Sequence, residues 1–399
     1  MSKYMKIVLK QSTPASIGWY EPECVDPSFY LRPSTIKGLW RWFTRAFIAG
    51  ALYDSNLLCS VEDKIHVKKV KKNSANAISY LTGKIAGLGF IDFGSFEPEA
   101  SRFKINVEIV KWPSRRSAYN LGRLQRVRLL ALGGRRVGFF GNGEFKLNVS
   151  KTREVYKEGE ELALRTLLVS LSLMGLGKGS RRALGCFDIV DVSIDSSRLK
   201  DNLCSFLEET YKLALSVVNR HKHELKLRTC SDETLPPLPV FSKRQYEEFP
   251  ITAIYKVKAG WEYVHNFFLR GERCKRILND PRKPDTLRTK LSAWILGLPR
   301  EQRRTGYSAK KIGVERRASP IIVSYHSRDH IFGDGVYITV FASADWPKSI
   351  EWCKTPKEEP QTIGVDEGKI IAALKEALDE LWSYLGVKAE QIWPCRCKE

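Results

Sequence analysis

A glycine-rich segment at residues 175–185, GLGKGSRRALG, contains the residue types that bind phosphate groups. Glycines let backbone N–H groups approach an anion without obstruction by a Cβ atom, and Lys178, Arg181 and Arg182 add positive charge. The segment lacks the GxxxxGK[ST] pattern of a nucleotide-binding loop and follows a predicted helix instead of a strand, so NTP hydrolysis is not expected. Two interpretations remain open: a contact with an RNA backbone, and a turn that merely links a helix to a strand.

A second set of cations lies on a helix predicted over residues 31–51. Lys37, Arg41 and Arg45 are four residues apart, so they share one face of that helix. The stretch contains no acidic residue to neutralise them. Such a face is either solvated or the place where an anion binds. Trp42 lies off the apolar stripe of the same helix, which makes it a candidate for stacking on a base.

The histidines bear on a possible ribonuclease reaction, which needs a group that titrates near neutral pH beside the scissile phosphate. None of the six histidines lies in the predicted first helix or in the loop before it. His66 belongs to a basic segment, and His221 and His223 flank Lys222, which indicates a solvated helix end. The sequence therefore predicts no catalytic residue.

The net charge points to a polyanionic partner. The chain holds 66 Lys and Arg against 45 Asp and Glu, which gives +21 over 399 residues. The last 49 residues hold 7 cations and 10 anions, so the first 350 carry +24. Nucleic acid is the commonest partner of such a chain, although a lysine-rich surface can also serve solubility.

The remaining composition excludes several classes of protein. No segment approaches the ~20 consecutive apolar residues of a membrane span, and the N-terminus lacks the apolar run of a secretory signal. The nine cysteines are dispersed, without any CxxC pair. This spacing indicates a reducing, cytoplasmic compartment, and we expect no structural zinc site, no other metal and no cofactor.

These residues must be positioned by a mixture of strands and helices. In the predicted first helix, Ile36, Leu39, Trp40, Phe43 and Phe47 recur at the spacing of a buried face. Further elements are predicted at residues 5–9 (strand), 103–110 (strand), 139–149 (hairpin), 160–174 (helix) and 186–192 (strand). This βαββαβ order is typical of a ferredoxin-like domain, which we place at residues 1–195. Residues 61–72 and 114–136 are basic segments within it, and the first is interpreted as a mobile insertion.

The second half is predicted as another α/β unit at residues 196–399. Its most regular helix covers residues 367–385, and strands are predicted at 252–257, 319–325 and 336–341. The fold class is therefore α+β.

Four stretches in chain order resemble the RAMP superfamily of CRISPR-associated proteins. They are RPSTIKGLWRWFTRA (32–46), the turn FGS (93–95) with its following strand, GLGKGSRRALGCF (175–187) and ERRASPIIV (315–323). Within that superfamily, the likeness is to the first subunit of the Cmr (type III-B) RNA-guided effector complex. Ala183 and Leu184 depart from the more glycine-rich loop of the family. In the C-terminal half only the last stretch carries the resemblance.

The resemblance implies two ferredoxin-like (RRM-like) domains packed around a basic cleft that binds RNA. It implies a non-catalytic subunit that contacts guide RNA and target RNA at the end distal to the 5′ tag of the guide. Its other expected partners are Cmr effector-complex subunits, and no membrane association is expected. The residues that match the motifs, and that we therefore predict to contact RNA, are Arg32, Lys37, Arg41, Trp42, Arg45, Lys178, Ser180, Arg181, Arg182, Arg316 and Arg317.

Two alternatives remain open. Some RAMP proteins are metal-independent endoribonucleases that process CRISPR guide precursors, usually with a catalytic histidine. An RNA-binding protein without a CRISPR role would explain the charge, but it would not explain four ordered motifs.

Overall fold

The first helix shows how the apolar pattern specifies the N-terminal core. It begins at Pro33, whose fixed φ suits the first helical position, and ends at Asp54. Its predicted apolar face is buried. The indole N–H of Trp40 donates to the carbonyl of Ala163 at 2.6 Å, which ties this helix to the second long helix of the same half. Gly50 lies so close to the Phe241 carbonyl that a Cβ atom would overlap it, so only glycine fits there.

The chain is described from a computed structural model. The described residues are 5–18, 24–25, 28, 30–90, 97–117, 121–130, 137–193, 202–230, 234–270, 287, 290–302 and 304–395. The predicted FGS turn, the last two arginines of the 114–136 segment and the predicted domain boundary at 195/196 lie outside these residues.

The elements of the N-terminal half follow one another in the order strand, helix, strand, strand, helix, strand, with additions. They are β1 (Met5–Gln11), α1 (Pro33–Asp54), β2 (Ser60–Val61), β3 (Lys69–Val70), α2 (Lys72–Tyr80) with a π-helical turn (Leu81–Ile85), β4 (Phe103–Lys111), β5 (Ser114–Ser117), α3 (Gln125–Leu130), β6 (Gly138–Gly141), β7 (Glu144–Lys151), α4 (Lys157–Leu173) and β8 (Phe187–Val192). Four of the strands form an antiparallel sheet in the order β4-β7-β1-β8. Alternate residues of β1 are buried, because one face of this sheet packs on α1 and α4.

The C-terminal half repeats this arrangement. It contains α5 (Leu203–His221), β9 (Gln245–Tyr246), β10 (Phe249–Pro250), β11 (Thr252–Val257), α6 (Trp261–Arg270), a 3-10 turn (Ala293–Leu296), β12 (Arg300–Gln302), β13 (Thr305–Ser308), a second 3-10 turn (Lys310–Ile312), β14 (Ile321–His326), β15 (Gly335–Phe341), β16 (Ser349–Cys353), β17 (Gln361–Gly364), α7 (Glu367–Leu385) and β18 (Glu390–Trp393). Its main antiparallel sheet has the order β14-β15-β11-β18, and β12, β13, β16 and β17 form a smaller sheet. The predicted α+β class with antiparallel sheets is confirmed.

The two halves share one apolar core along β14. The N–H of Ala183 donates to the Val323 carbonyl at 2.8 Å, and the N–H of Val323 donates to the Arg181 carbonyl at 3.1 Å. The buried side chains of both sheets belong to one continuous cluster. Residues 175–185, here called the glycine loop, therefore lie at the joint between the halves.

Helix α5 packs on the helices of the N-terminal half, although its sequence follows the predicted boundary. Arg165 on α4 pairs with Glu209 on α5 at 2.8 Å, and Arg220 on α5 pairs with Glu158 on α4 at 2.6 Å. The hydroxyl of Tyr211 donates to the Asp54 carboxylate at the end of α1. The N-terminal helices are thus covered by a helix from the second half.

Two interpretations from the sequence need correction. Residues 61–72 are not a separate insertion: the N–H of Val67 donates to the Trp346 carbonyl at 2.8 Å, and Lys68 pairs with Glu367 at 3.2 Å. The cysteine spacing did not indicate any disulfide, yet two bridges are present. Cys59 is bonded to Cys230 and Cys204 to Cys395, each across more than 170 residues of chain.

Within the described residues, every helix is too short or too polar to cross a bilayer.

Candidate nucleic-acid interface

The three predicted cations of α1, here called the first-helix row, lie at the surface. The Nζ atom of Lys37 donates to the Phe103 carbonyl at 2.7 Å, and the Nε atom of Arg41 donates to the Leu88 carbonyl at 2.8 Å. Arg45 is exposed. No carboxylate among the described residues forms an ion pair with these three side chains, so their charge is not neutralised there.

The charges of the first-helix row act on one another. Displacement of water, and then the charge of Arg41, lower the pKa of Lys37 and the pKa of Arg45. Both groups remain charged at neutral pH, because their ordinary values lie far above it. A bound anion would relieve this repulsion.

Trp42 joins α1 to the glycine loop. Its ring is half-buried and meets Phe43 edge-on at 4.9 Å and Phe341 edge-on at 5.5 Å, measured between ring centroids. The guanidinium of Arg181 lies 5.3 Å from the ring centroid, within the range of a cation–π contact. That contact occupies ring surface which the base-stacking prediction requires to be free.

The glycine loop bonds mainly to the protein itself. Its Gly177 has a φ of 87°, and a Cβ atom there would lie 2.4 Å from the Ser16 carbonyl, so the position requires glycine. The Lys178 N–H donates to that same Ser16 carbonyl at 2.8 Å, and the Gly185 N–H donates to the Pro14 carbonyl at 2.9 Å. Other N–H groups with carbonyl acceptors are those of Gly175, Leu176, Arg182 and Ala183. These six N–H groups are not available to a phosphate.

Arg182 points into the joint. It is 7% exposed, and its Nη1 atom donates to the Ile321 carbonyl at 2.6 Å while Nη2 donates to the Leu296 carbonyl at 3.3 Å. Its guanidinium lies over the Phe268 ring at 4.7 Å. Burial, and then the charge of Arg126, lower the pKa of Arg182 to about 9, so it still carries its charge at neutral pH. These contacts give Arg182 a structural role inside the joint.

Its neighbour Arg181 lies half-buried at the edge of the joint. Its Nη1 atom donates to the Ser319 carbonyl at 3.0 Å. Burial, and then the charge of Arg317, lower the pKa of Arg181 to about 10, while Asp345 acts in the opposite direction. Arg181 thus connects the glycine loop to the ERRASPIIV segment.

The two arginines of that segment differ in their surroundings. Arg317 pairs with Asp345 at 2.8 Å and lies over the Trp346 ring at 4.5 Å, which fixes it to the protein. Arg316 is exposed, and no carboxylate among the described residues pairs with it. The motif therefore contributes one fixed and one accessible cation.

Two further arginines, Arg126 on α3 and Arg300 on β12, join these residues. Both act on the pKa of Arg182, and burial followed by the charge of Arg316 lowers the pKa of Arg126. The resulting arginine cluster consists of Arg126, Arg181, Arg182, Arg300, Arg316 and Arg317. The sequence marked Arg126 as part of a basic segment, but it held no signal that this segment converges with Arg300 and the other arginines.

The other predicted residues lie beside these two groups. Arg32 is half-buried at the start of α1, and Lys178 and Ser180 are half-buried in the glycine loop. The structure thus brings together the first-helix row and the glycine loop through the contact between Trp42 and Arg181. The predicted RNA contacts of the individual residues stay predictions.

Residues 12–188 match the model of the RAMP superfamily. This region belongs to the RAMP superfamily. The match contains the first-helix row and the glycine loop, so the resemblance inferred from the motifs is confirmed for this part of the chain. No curated protein sequence matches the chain.

Three solved structures are similar to this chain over nearly its whole length. The apo crystal structure of Cmr1 from Pyrococcus furiosus aligns over 98% of this chain and 99% of that chain, at 17% identity and a TM-score of 0.48. A chain in the cryo-EM structure of type III-B Cmr-beta bound to cognate target RNA aligns over 96% of this chain and 100% of its own length, at 14% identity and a TM-score of 0.55. A chain in the structure of the same complex with target RNA and AMPPnP, in the presence of ssDNA, aligns over 95% of this chain and 99% of its own length, at 14% identity and a TM-score of 0.52. The likeness to the Cmr complexes is confirmed at the level of the fold.

A histidine beside the arginine cluster is buried. The Nδ1 atom of His265 lies 2.6 Å from the Arg182 carbonyl, and its Nε2 atom accepts the N–H of Arg126 at 3.2 Å. Burial lowers the pKa of His265 to about 4. Both ring nitrogens are thus engaged by the backbone, which does not suit a general acid or base that must reach a phosphate.

One group of described residues, Asp188, His326 and His330, lies close enough to share a metal ion. The Nδ1 atom of His330 accepts the N–H of Ile189 at 3.0 Å, so its proton belongs on Nε2, which is then not a metal ligand. His326 lies 3.0 Å from Asp188 and 2.6 Å from the Ser172 carbonyl through its two ring nitrogens. Among these described side chains, the buried Nε2 atom of His330 has no hydrogen-bond partner, while the other ring nitrogens and the carboxylate oxygens are hydrogen-bonded, which suits a buried polar group better than a metal site.

Proposed function

We propose that this chain is a non-catalytic RNA-binding subunit of a type III-B Cmr effector complex. In this role it contacts guide RNA and target RNA at the end distal to the 5′ tag of the guide, beside other Cmr subunits. The RAMP match at residues 12–188 and the fold shared with a chain of the Cmr-beta complex support the assignment.

The proposed binding surface is a basic cleft between two ferredoxin-like domains. The repeated strand order of the two main sheets supports two such domains, with the glycine loop between them. The observation that carries the proposal is the convergence of cations from separate segments, where burial and then the charge of a neighbouring arginine lower the pKa values of Arg126 and Arg181. A polyanion that lies across such a surface releases counterions and relieves the repulsion.

The cations assigned to RNA are those that the protein leaves accessible. They are Lys37, Arg41, Arg45, Arg126, Arg181 and Arg316. Arg182 is excluded because it is 7% exposed, and Arg317 is excluded because it forms an ion pair with Asp345. Phosphate contacts position an RNA strand without reading its sequence, so we expect weak dependence on base identity.

Salt dependence tests the binding role. If the six cations each meet a phosphate, the logarithm of the affinity for single-stranded RNA falls against the logarithm of salt concentration with a slope of about −4. The measurement is fluorescence anisotropy of a labelled RNA with the full chain at several salt concentrations. A slope near zero, or no binding at low salt, contradicts the proposal.

The same preparation tests the absence of catalysis. Guide-repeat RNA incubated with the full chain is expected to stay intact, with and without a metal chelator. Cleavage that disappears in His66→Ala would instead establish the endoribonuclease alternative. Co-purification with guide RNA and large CRISPR subunits separates a Cmr role from that of an unrelated RNA-binding protein.

A further inference from the structure

A separate aromatic side chain is exposed at the end of β4. Trp112 is 67% exposed, more than any other large apolar side chain in the described part of the chain. A tryptophan ring placed in water carries a free-energy cost that contact with a partner removes. The first-helix row and the arginine cluster do not include it.

The position of this ring is fixed by the protein. Trp112 meets the ring of Tyr30 edge-on, with 6.2 Å between centroids and 78° between planes. Tyr30 is itself buried and packs edge-on against Phe140 at 5.2 Å. The next residue, Pro113, is buried and restricts the backbone. The exposed ring is therefore presented in a defined orientation.

Three exposed cations lie within four residues of Trp112 in the chain. Lys111 precedes it, and Arg115 and Arg116 follow it on β5, whose backbone pairs antiparallel with β6. Neither arginine has an ion pair or a hydrogen bond through its side chain to another described residue. Lys111 reaches Glu144 only at 4.0 Å. We call Lys111, Trp112, Arg115 and Arg116 the tryptophan ledge.

The ledge is distinct from the first-helix row. Lys37 contacts Phe103 at the start of β4, whereas Trp112 follows the last residue of that strand. A nine-residue strand places these two ends about 27 Å apart. A ligand of the ledge therefore makes a contact that the proposed cleft does not supply.

We infer that the tryptophan ledge is a second binding site for single-stranded RNA. One base stacks on the Trp112 ring, and the arginine of β5 that lies on the same side of the strand meets an adjacent phosphate. Aromatic rings beside cations are the usual platform for unpaired bases. The charge favours RNA over a protein partner, because no carboxylate among the described residues pairs with either arginine, and a protein would need to supply carboxylates for both. This inference rests on the RNA-binding role proposed above.

Crosslinking and affinity together test the ledge. RNA that contains 5-iodouridine is irradiated with the full chain, and crosslinked peptides are mapped by mass spectrometry. A crosslink at Trp112 is expected. Trp112→Ala should weaken the binding of long single-stranded RNA about tenfold, and Trp112→Phe should largely restore it. Tyr156, which directly precedes α4, is another exposed aromatic residue, and Tyr156→Ala should leave the binding unchanged.

The possible outcomes separate the two proposals. If the wild-type chain binds RNA and Trp112→Ala binds equally well, the ledge inference is wrong while the proposed function stands. If the wild-type chain binds no RNA, the proposed function itself fails. If Trp112→Ala keeps its RNA affinity but no longer assembles with other Cmr subunits, the ledge is a protein interface and the inference is overturned.

Discussion

The glycine loop and the first-helix row contain the same kinds of side chains, yet they use their charge in different ways. Arg182 of the glycine loop is buried and donates to two carbonyls of the C-terminal half. Arg45 of the first-helix row is exposed and has no carboxylate partner among the described residues. One cation holds the protein together, and the other is available to a ligand. What lies opposite a side chain, and not its type, decides which role it has.

The two regions also differ in the free-energy cost of removing their cations from water. Burying an arginine is expensive, and the carbonyl bonds of Arg182 offset that cost once, during folding. The first-helix row keeps most of its charge in water, so it can exchange small counterions for phosphates. Changes at the joint should therefore alter the stability of the fold, and changes at the first-helix row should alter the affinity for RNA.

Acid gives the largest expected effect, and it acts on the joint. Burial lowers the pKa values of His265, next to Arg182, and of His330, which also faces His326 and Lys256. The unfolded chain then binds more protons than the folded chain below pH 6.5. The contribution of these histidines to the free energy of unfolding is therefore fully present above that pH and is lost as the pH falls below it. Between pH 7 and pH 5 we expect a loss of about 2 kcal/mol for each histidine, measured by urea unfolding.

His330→Phe is the control for this effect. It keeps an aromatic ring beside His326 and removes the titrating group, so about half of the pH dependence should disappear. The Asp188 carboxyl adds no loss in that range. Burial opposes its ionisation, but bonds from His326 and Ser327 outweigh burial and hold its pKa below its ordinary value of 3.8. Equal unfolding midpoints at pH 7 and pH 5 would contradict the role given to the histidines.

The next effect is expected from Arg182→Ala. The change leaves the Ile321 and Leu296 carbonyls without their donor and opens a space beside Phe268, so the free energy of unfolding should fall by about 3 kcal/mol. Chemical denaturation measures this loss. Arg316→Ala is the matched control and should change stability by about 0.5 kcal/mol or less, since its side chain is exposed. Similar values for both variants would remove the distinction between the two arginines.

The smallest effect on stability is expected from the first-helix row. Replacing Lys37, Arg41 and Arg45 by alanine should cost about 1 kcal/mol, because only two carbonyl bonds are lost. The same variant should flatten the salt slope of RNA binding by about 2 units. Alanine at the exposed cations Arg153, Lys157 and Arg228 is the control, and it should leave the slope unchanged. An unaltered slope in the first variant would show that the row is merely solvated.

The sequence predicted the local elements well, because their signals are local. The apolar spacing from Ile36 to Phe47 identified α1 and its buried face, and the alternation within 103–110 identified β4. The direction of Arg182 could not be predicted, since its acceptor at Ile321 lies 139 residues further along the chain. The disulfides and the convergence of Arg126 with Arg300 depend on similarly distant contacts.

The pairing of β14 with the glycine loop also affects how the protein is made. When the glycine loop and β8 leave the ribosome, residues 321–326, which form β14 and complete the joint, have not yet been synthesised. At bacterial or eukaryotic elongation rates, the nascent N-terminal half waits on the order of 10 s for that strand. During this interval Arg182 has no carbonyl acceptors from β14, and the apolar face beside it is uncovered. The nascent chain thus passes through a stage at which a chaperone can bind the future joint.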